Sequence, residues 1–205
     1  MSDTTKIIMG IDPGTNFMGY GVLAIEAGKP RPIILGDIDL HKISDPYRKL
    51  AYIFERVSAL VAEYNPDEVA LESPFFGENV QSMLKLGRAQ GVAMAAALSH
   101  GKQVFEYAPS RVKQSITGRG SAPKEQVAAL LKSMLGVDYN NKRLDATDGM
   151  AVALCHHFTS SNPLAGVKTT KRRTSSSSSW ESFVAANPNR EIKQTKRVNN
   201  IKKEQ

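Results

Sequence analysis

Cysteine is almost missing from this chain: Cys155 is the only one in 205 residues. An internal disulfide is thereby excluded, and so is a cysteine-based zinc cluster. Long apolar runs are missing too. No stretch approaches the ~20 apolar residues that a membrane-spanning helix needs. The polar start MSDTTK leads into an apolar run that contains Asp12, without the unbroken apolar segment and small-residue cleavage site of a secretory signal. The expectation is a cytoplasmic protein with no membrane association. Net acidity is missing as well: the formal charge is +7. Residues 160–205 carry ten basic and three acidic side chains, whereas residues 1–159 are neutral. Within the neutral part, residues 75–132 hold eight basic against three acidic side chains. A basic middle and a basic tail suit a polyanion such as nucleic acid.

The hydrophobic content of 41% is enough to build a core. The end of the chain is different in kind. A run of five serines (Ser175 to Ser179) and the cluster Lys171-Arg172-Arg173 have the composition of disorder. The expected division is a folded domain over 1–160 and a basic, Ser-rich, disordered tail over 161–205. Trp180, Phe183 and Val184 form a small apolar island in that tail.

The folded part reads as three strands followed by alternation. Lys6 to Asp12, Gly19 to Ile25 and Pro32 to Leu40 are strand-like runs, with a turn signal at Gly28-Lys29-Pro30. Short connections predict an antiparallel meander. Asp45 to Tyr64 has helical spacing, and Asn65-Pro66-Asp67 ends it. Glu68 to Glu72 reads as a short buried strand, Asn79 to His100 as a helix and Gln103 to Tyr107 as a strand. Ser110 to Ser115, Ser121 to Leu135 and Leu144 to Phe158 read as helices, the middle one with Pro123 in its first turn. The pattern predicts an α/β fold, a five-stranded mixed sheet with helices on both faces.

Four carboxylates sit where packing does not explain them. Asp12 ends an apolar strand directly before Pro13-Gly14-Thr15, and Glu72 ends the apolar strand Val69-Ala70-Leu71. If those strands are neighbours, both acids emerge at one sheet edge. Asp145 and Asp148 are three apart on an otherwise apolar helix, hence on one face. Singly, each could cap a turn or complement a helix dipole. Together they repel one another unless they take up protons or bind a cation. A hard divalent ion such as Mg²⁺ suits an all-oxygen donor set. Two such ions ~4 Å apart stabilise the attacking and leaving oxygens of a phosphodiester displacement.

The stretches IDPGTNFMGYGV, ALESPFFGENVQSMLKLGRAQGVA, VFEYAPSRVKQSITGRGSAPKEQV and DATDGMAVALCHH, in that order over roughly residues 6–158, resemble the RuvC family of Holliday-junction resolvases. The resemblance implies a ribonuclease H-like fold, a homodimer, and paired Mg²⁺-dependent nicks in opposed strands of a four-way DNA junction during recombination and repair. It implies one or two Mg²⁺ per subunit, replaceable by Mn²⁺, and a branch-migration complex of RuvA and RuvB type proteins as partner. It makes Asp12, Glu72, Asp145 and Asp148 the metal-binding catalytic set. Lys113 and Lys124 match basic residues of DNA contact and catalysis, and Phe75 matches an aromatic near the junction centre. The segment after Glu72 departs from the family pattern: Ser73 and Pro74 follow it, where the family has Gln.

Lys113 and Lys124 would place ammonium groups near a scissile phosphate. Lys124 does so from the first turn of a helix, where the dipole disfavours a cation. Lys85, Arg88, Arg111 and Arg119 are further candidates for backbone phosphates, Arg119 from a Gly-flanked loop. Phe75 could stack on an unpaired base. The Ala- and Gly-rich helix from Asn79 to His100 is the expected dimer surface. His156 and His157, being adjacent, face different directions and read as ordinary helix-end residues. A nucleotide phosphotransferase of the actin and sugar-kinase type would need a second domain for which 160 residues leave no room. The same residues would also suit a non-catalytic DNA-binding module whose acids serve only structure, or an RNA-processing nuclease on the same fold.

Overall fold

A computed structural model describes residues 5–74, 79–136 and 145–161, with Asp145 described for its backbone alone. All of them lie in the first of the two units into which the chain divides, Met1–Ala165. Phe75 and the tail with Trp180, Phe183 and Val184 fall outside the described residues.

Five strands form one sheet: β1 (Lys6–Asp12), β2 (Phe17–Glu26), β3 (Lys29–Asp39), β4 (Glu68–Glu72) and β5 (Gln103–Tyr107). Their order is β3-β2-β1-β4-β5. The first three form the expected antiparallel meander, and β4 and β5 add in parallel to β1. The hairpin between β2 and β3 turns at Ala27 and Gly28, both at positive φ, so Lys29 already belongs to β3.

Helices cover both faces. One apolar cluster gathers Met9, Ile11, Val69 and Leu71 of the sheet with Ile53, Val57, Ala93 and Ala97. The last four come from α1 (Pro46–Tyr64) and α2 (Val80–Ser99). The other cluster sets Ile8, Leu23 and Ala70 against Val112, Val127 and Met150. Those three come from α3 (Pro109–Thr117), α4 (Lys124–Leu135) and α5 (Asp145–Ser160). Alternate residues of β1 and β4 thus serve opposite faces, as the pleat requires.

Local chemistry sets the ends of these helices. The Asp45 carboxylate accepts the Arg48 backbone N–H at 2.8 Å ahead of Pro46, and Asn65 closes α1 in the left-handed region. Asn79 caps α2 in the same manner through Ser82, at 3.1 Å. Helix α4 starts at Lys124, three residues later than the sequence suggests, because Pro123 adopts extended backbone and stands at the cap rather than inside the first turn.

Helix α5 approaches the sheet unusually closely. A Cβ added to Gly10 would lie 2.3 Å from Gly149 O and from Ala153 N, and one added to Gly149 would lie 2.5 Å from Tyr20 Cα. Only glycine permits backbone contact of this kind. It brings the acidic start of α5 down onto the C-terminal end of β1 and the adjoining part of β2.

Candidate active site

Strand β1 runs parallel to β4 with Ile8 opposite Glu68 and Ile11 opposite Leu71. Asp12 and Glu72 are the next residues, so both strands end in a carboxylate at one level of one edge. Both lie in the phase of Ile8 and Ala70, which face α5. The expectation that the two acids emerge together is met by the register.

Asp12, Glu72 and Asp148 line one small cavity of ≈ 50 Å³, together with Lys113 and Lys124. Val112, Val127 and Ala151 form its apolar wall. Lys124 donates from Nζ to Asp148 Oδ2 at 2.5 Å. Burial first, and the negative charge of Asp148 second, push the Glu72 carboxyl up to about 7; Lys124 and Lys113 oppose the shift. Three of the four predicted acids therefore share one site. The fourth, Asp145, is the first residue of α5, less than one turn before Asp148.

Among the described residues no three of His, Cys, Asp and Glu stand in the tight array of a preformed metal centre. Instead the Lys124 ammonium sits against the Asp148 carboxylate. The chemistry of the donor set still fits a hard divalent cation. The donors are all oxygen, and one carboxyl is held near neutrality by burial and a like charge, which is the electrostatic situation a cation relieves.

The remaining candidates divide between two sides of this edge. Beside Lys113 a wider cleft of ≈ 570 Å³ runs between Ser73-Pro74, the start of α3 and Gly120. Arg119 is exposed on the loop that Gly118 opens in the left-handed region, where Thr117 Oγ1 accepts the Arg119 N–H at 3.1 Å. Arg111 is exposed on α3. Lys85 and Arg88 lie on the other face of the sheet, lining a cleft between α1 and α2. Neither group lines the carboxylate cavity.

Two polar features, one at the end of β4 beside the site and one at its far end, were not legible as such. Gln90 is buried and donates from Nε2 to the Glu72 backbone carbonyl at 3.3 Å and to Glu106 Oε1 at 2.7 Å. It ties α2 to the end of β4. His156 and His157 are buried, contrary to their reading as ordinary helix-end residues. His156 is hydrogen-bonded through Nε2 to Glu68 Oε2 at 2.5 Å and through Nδ1 to the Tyr107 hydroxyl at 2.6 Å. Burial works to raise the Glu68 carboxyl, but hydrogen bonds from Lys6 and His156 hold it below its ordinary value. The missed signal was α5 itself: a helix without a polar face is enclosed all round, so a histidine near its end is buried and needs partners.

Comparison with known proteins agrees with this geometry. Residues 8–156 match the family model described as "Crossover junction endodeoxyribonuclease RuvC". The protein of that name from Cytophaga hutchinsonii is 52% identical over 90% of this chain and 88% of its own length. The one from Porphyromonas gingivalis is 50% identical over 93% of this chain and 99% of its own. Among solved structures, Thermus thermophilus RuvC in complex with Holliday junction substrate superposes with a TM-score of 0.69 at 31% identity, covering 76% of this chain and 94% of that one. The expected ribonuclease H-like fold is thereby established.

Proposed function

The chain belongs to the RuvC family of crossover junction endodeoxyribonucleases, and from that premise we propose that it resolves four-way DNA junctions by paired, symmetric hydrolytic nicks. The single observation that carries this reading is the convergence of Asp12, Glu72 and Asp148 on one cavity walled by Lys113 and Lys124. Such a cluster weakens a fold unless its charge is used.

Asp12, Glu72, Asp145 and Asp148 would hold one or two Mg²⁺ ions, with Mn²⁺ able to substitute. A cation bound there supplies Lewis-acid polarisation of the scissile phosphate and charge neutralisation at both oxygens in line with it. The rest falls to the chain's own groups. The carboxylates fix where the phosphate enters and accept the proton of the attacking water. That water's oxygen bonds to phosphorus as the bond to the 3′ oxygen breaks, and the leaving oxygen takes up a proton. Lys113 reaches the cavity from α3 and stabilises the charge of the pentavalent transition state. Lys124 neutralises Asp148 before loading and turns to the phosphate afterwards, a role suited to an exposed, long ammonium. Arg111 and Arg119 contact the DNA backbone outside the cavity. Phe75 follows Glu72 closely enough in sequence to stack on an unpaired base at the junction centre.

Paired nicks require two sites facing two symmetry-related strands, which a homodimer supplies. Helix α2 offers the surface. Val80, Leu84 and Leu98 are 64%, 51% and 56% exposed. Gly87 and Gly91 between them have open space where a Cβ would stand. Positions 80, 84, 87, 91 and 98 fall on one heptad seam, and a second copy of α2 is its occupant. A branch-migration complex of RuvA and RuvB type proteins is the further partner.

The test is cleavage of a synthetic four-way junction by the wild type and by Asp12→Asn, Glu72→Gln, Asp145→Asn and Asp148→Asn. The wild type should nick opposed strands in Mg²⁺, and each variant should bind the junction without cutting it. A wild type that leaves junctions intact in both Mg²⁺ and Mn²⁺ defeats the reading.

A further inference from the structure

The carboxylate cavity and its lysines lie on the α3–α5 face of the sheet. The same edge carries a second cationic cleft on the opposite face. It lies between the start of α1 and the first half of α2, encloses ≈ 140 Å³ and is lined by Lys49, Lys85 and Arg88 with Ser44, Tyr47 and Thr15. Three positive charges thus meet in one cleft. The carboxylate nearest in sequence, Asp45, is engaged at the start of α1. Lys85 and Arg88 make no ion pair among the described residues.

Three features make this more than a solvated basic face. Lys49 Nζ donates to the Thr15 carbonyl at 2.7 Å. That bond anchors the ammonium over the turn that follows Asp12 and leaves two of its three N–H donors for another acceptor. Tyr47 is 78% exposed at the mouth, a large aromatic surface that the described residues leave open. The cleft opens at the end of the sheet where β1 and β4 terminate in Asp12 and Glu72, because α1 and α2 both start there and run back toward the other end. A nucleic-acid strand crossing the catalytic edge meets cations on both faces.

We propose that Lys49, Lys85 and Arg88, with the Ser44 hydroxyl, form a second phosphodiester-binding cleft that holds the DNA strand flanking the nicked phosphate, and that the Tyr47 ring packs against a base or sugar of that strand. This rests on the junction-cleaving reading and extends its substrate contact to the α1–α2 face. The residues the sequence did not single out are Tyr47, Lys49 and Ser44. Their charge and ring chemistry recognise a polyanion that also offers flat faces, which a free phosphate does not.

The experiment measures binding of a fluorescent four-way junction by the full chain in EDTA, where no cutting occurs, as a function of salt. The variants are Lys85→Ala/Arg88→Ala, Tyr47→Ala and Tyr47→Phe. Lys29→Ala/Lys102→Ala, which neutralises two cations at the opposite end of the sheet, is the control. The Lys85/Arg88 double variant should lower the slope of log K against log salt by roughly 2, since each lost phosphate contact removes ~0.9. In Mg²⁺ it should raise KM far more than it lowers kcat. Tyr47→Ala should weaken binding about tenfold and Tyr47→Phe should restore it, as expected for stacking. Wild-type affinity and slope in the double variant, or an equal loss in the control, overturns the cleft while junction cleavage stands. If the wild type itself neither binds nor cuts junctions, the parent reading has failed instead.

Discussion

Lys124 Nζ lies 2.5 Å from Asp148 Oδ2, with the side chains 51% and 14% exposed. A cation at the first position of a helix works against the helix dipole. It is retained here because the carboxylate cluster below it is the stronger field. The same ammonium lowers the proton affinity of Glu72, which burial and Asp148 together raise to about 7.

That relationship predicts a pH dependence. Below about pH 7 Glu72 holds a proton, which it would have to release to act as the proposed cation ligand. The half-saturating Mg²⁺ concentration for cleavage should therefore fall as pH rises from 6 to 8. Lys124→Met removes one of the two charges that oppose the shift, so the acid limb of the profile should move to higher pH. Initial nicking rates across a grid of pH and Mg²⁺ check both. An unmoved acid limb in Lys124→Met would show that the ammonium does not act on Glu72.

The raised Glu72 carboxyl also bears on stability. Its carboxyl is raised from 4.5 to about 7 in the folded chain, so the folded state holds a proton that the unfolded chain has released in that window. Metal-free stability must fall as pH rises from 4.5 to 7. The full shift corresponds to about 3 kcal/mol as an upper order of magnitude. Glu72→Gln should accordingly stabilise the metal-free protein by ~1–3 kcal/mol at pH 8 and hardly at all at pH 4, while abolishing cleavage. Urea unfolding at the two pH values in EDTA measures the difference. A less stable variant at pH 8 would contradict the electrostatic account of the site.

The glycine contacts beneath α5 give a prediction of the opposite kind. In Gly149→Ala the new methyl would stand 2.5 Å from Tyr20 Cα and 2.6 Å from Tyr20 N, backbone that cannot yield without bending β2. Overpacking of this order costs ~1–3 kcal/mol or more. Because the residue follows Asp148 directly, cleavage should fall more steeply than the melting temperature. Gly87→Ala on α2, with nothing within 4 Å in the single chain, should leave the melting temperature of the monomer unchanged or slightly raised.

The sequence carried much of this because its strands are short and end in chemistry. Strands β1, β4 and β5 were legible to the residue, since each is an apolar run bounded by a turn, an acid or a polar break. The acids stood out because a carboxylate closing an apolar strand has no packing rationale. What escaped depends on which surfaces meet. Gln90 looks like a polar residue on an Ala-rich helix until β4 and β5 are set beside it. His156 looks terminal until α5 is seen to be covered on every side by β1, β2 and α3. The heptad seam of α2 shows in the spacing, but only the exposures of Val80, Leu84 and Leu98 reveal that the described residues leave it uncovered.

That seam supports the last prediction. If a second copy of α2 covers it, charges placed there should separate the subunits without disturbing a core they do not touch. Leu84→Glu/Leu98→Glu replaces two side chains already 51% and 56% exposed, so monomer stability should change by less than about 0.5 kcal/mol. Two like charges facing their symmetry mates across an apolar seam should shift the species from dimer to monomer in sedimentation at micromolar concentration. Junction resolution should then lose its pairing: single nicks on one strand should persist, and linear duplex products should fall by about tenfold or more, since the second cut no longer follows from the first within one complex. A variant that stays dimeric by sedimentation would place the interface elsewhere. One that becomes monomeric yet still resolves junctions into linear duplexes would show that two active sites need not be joined.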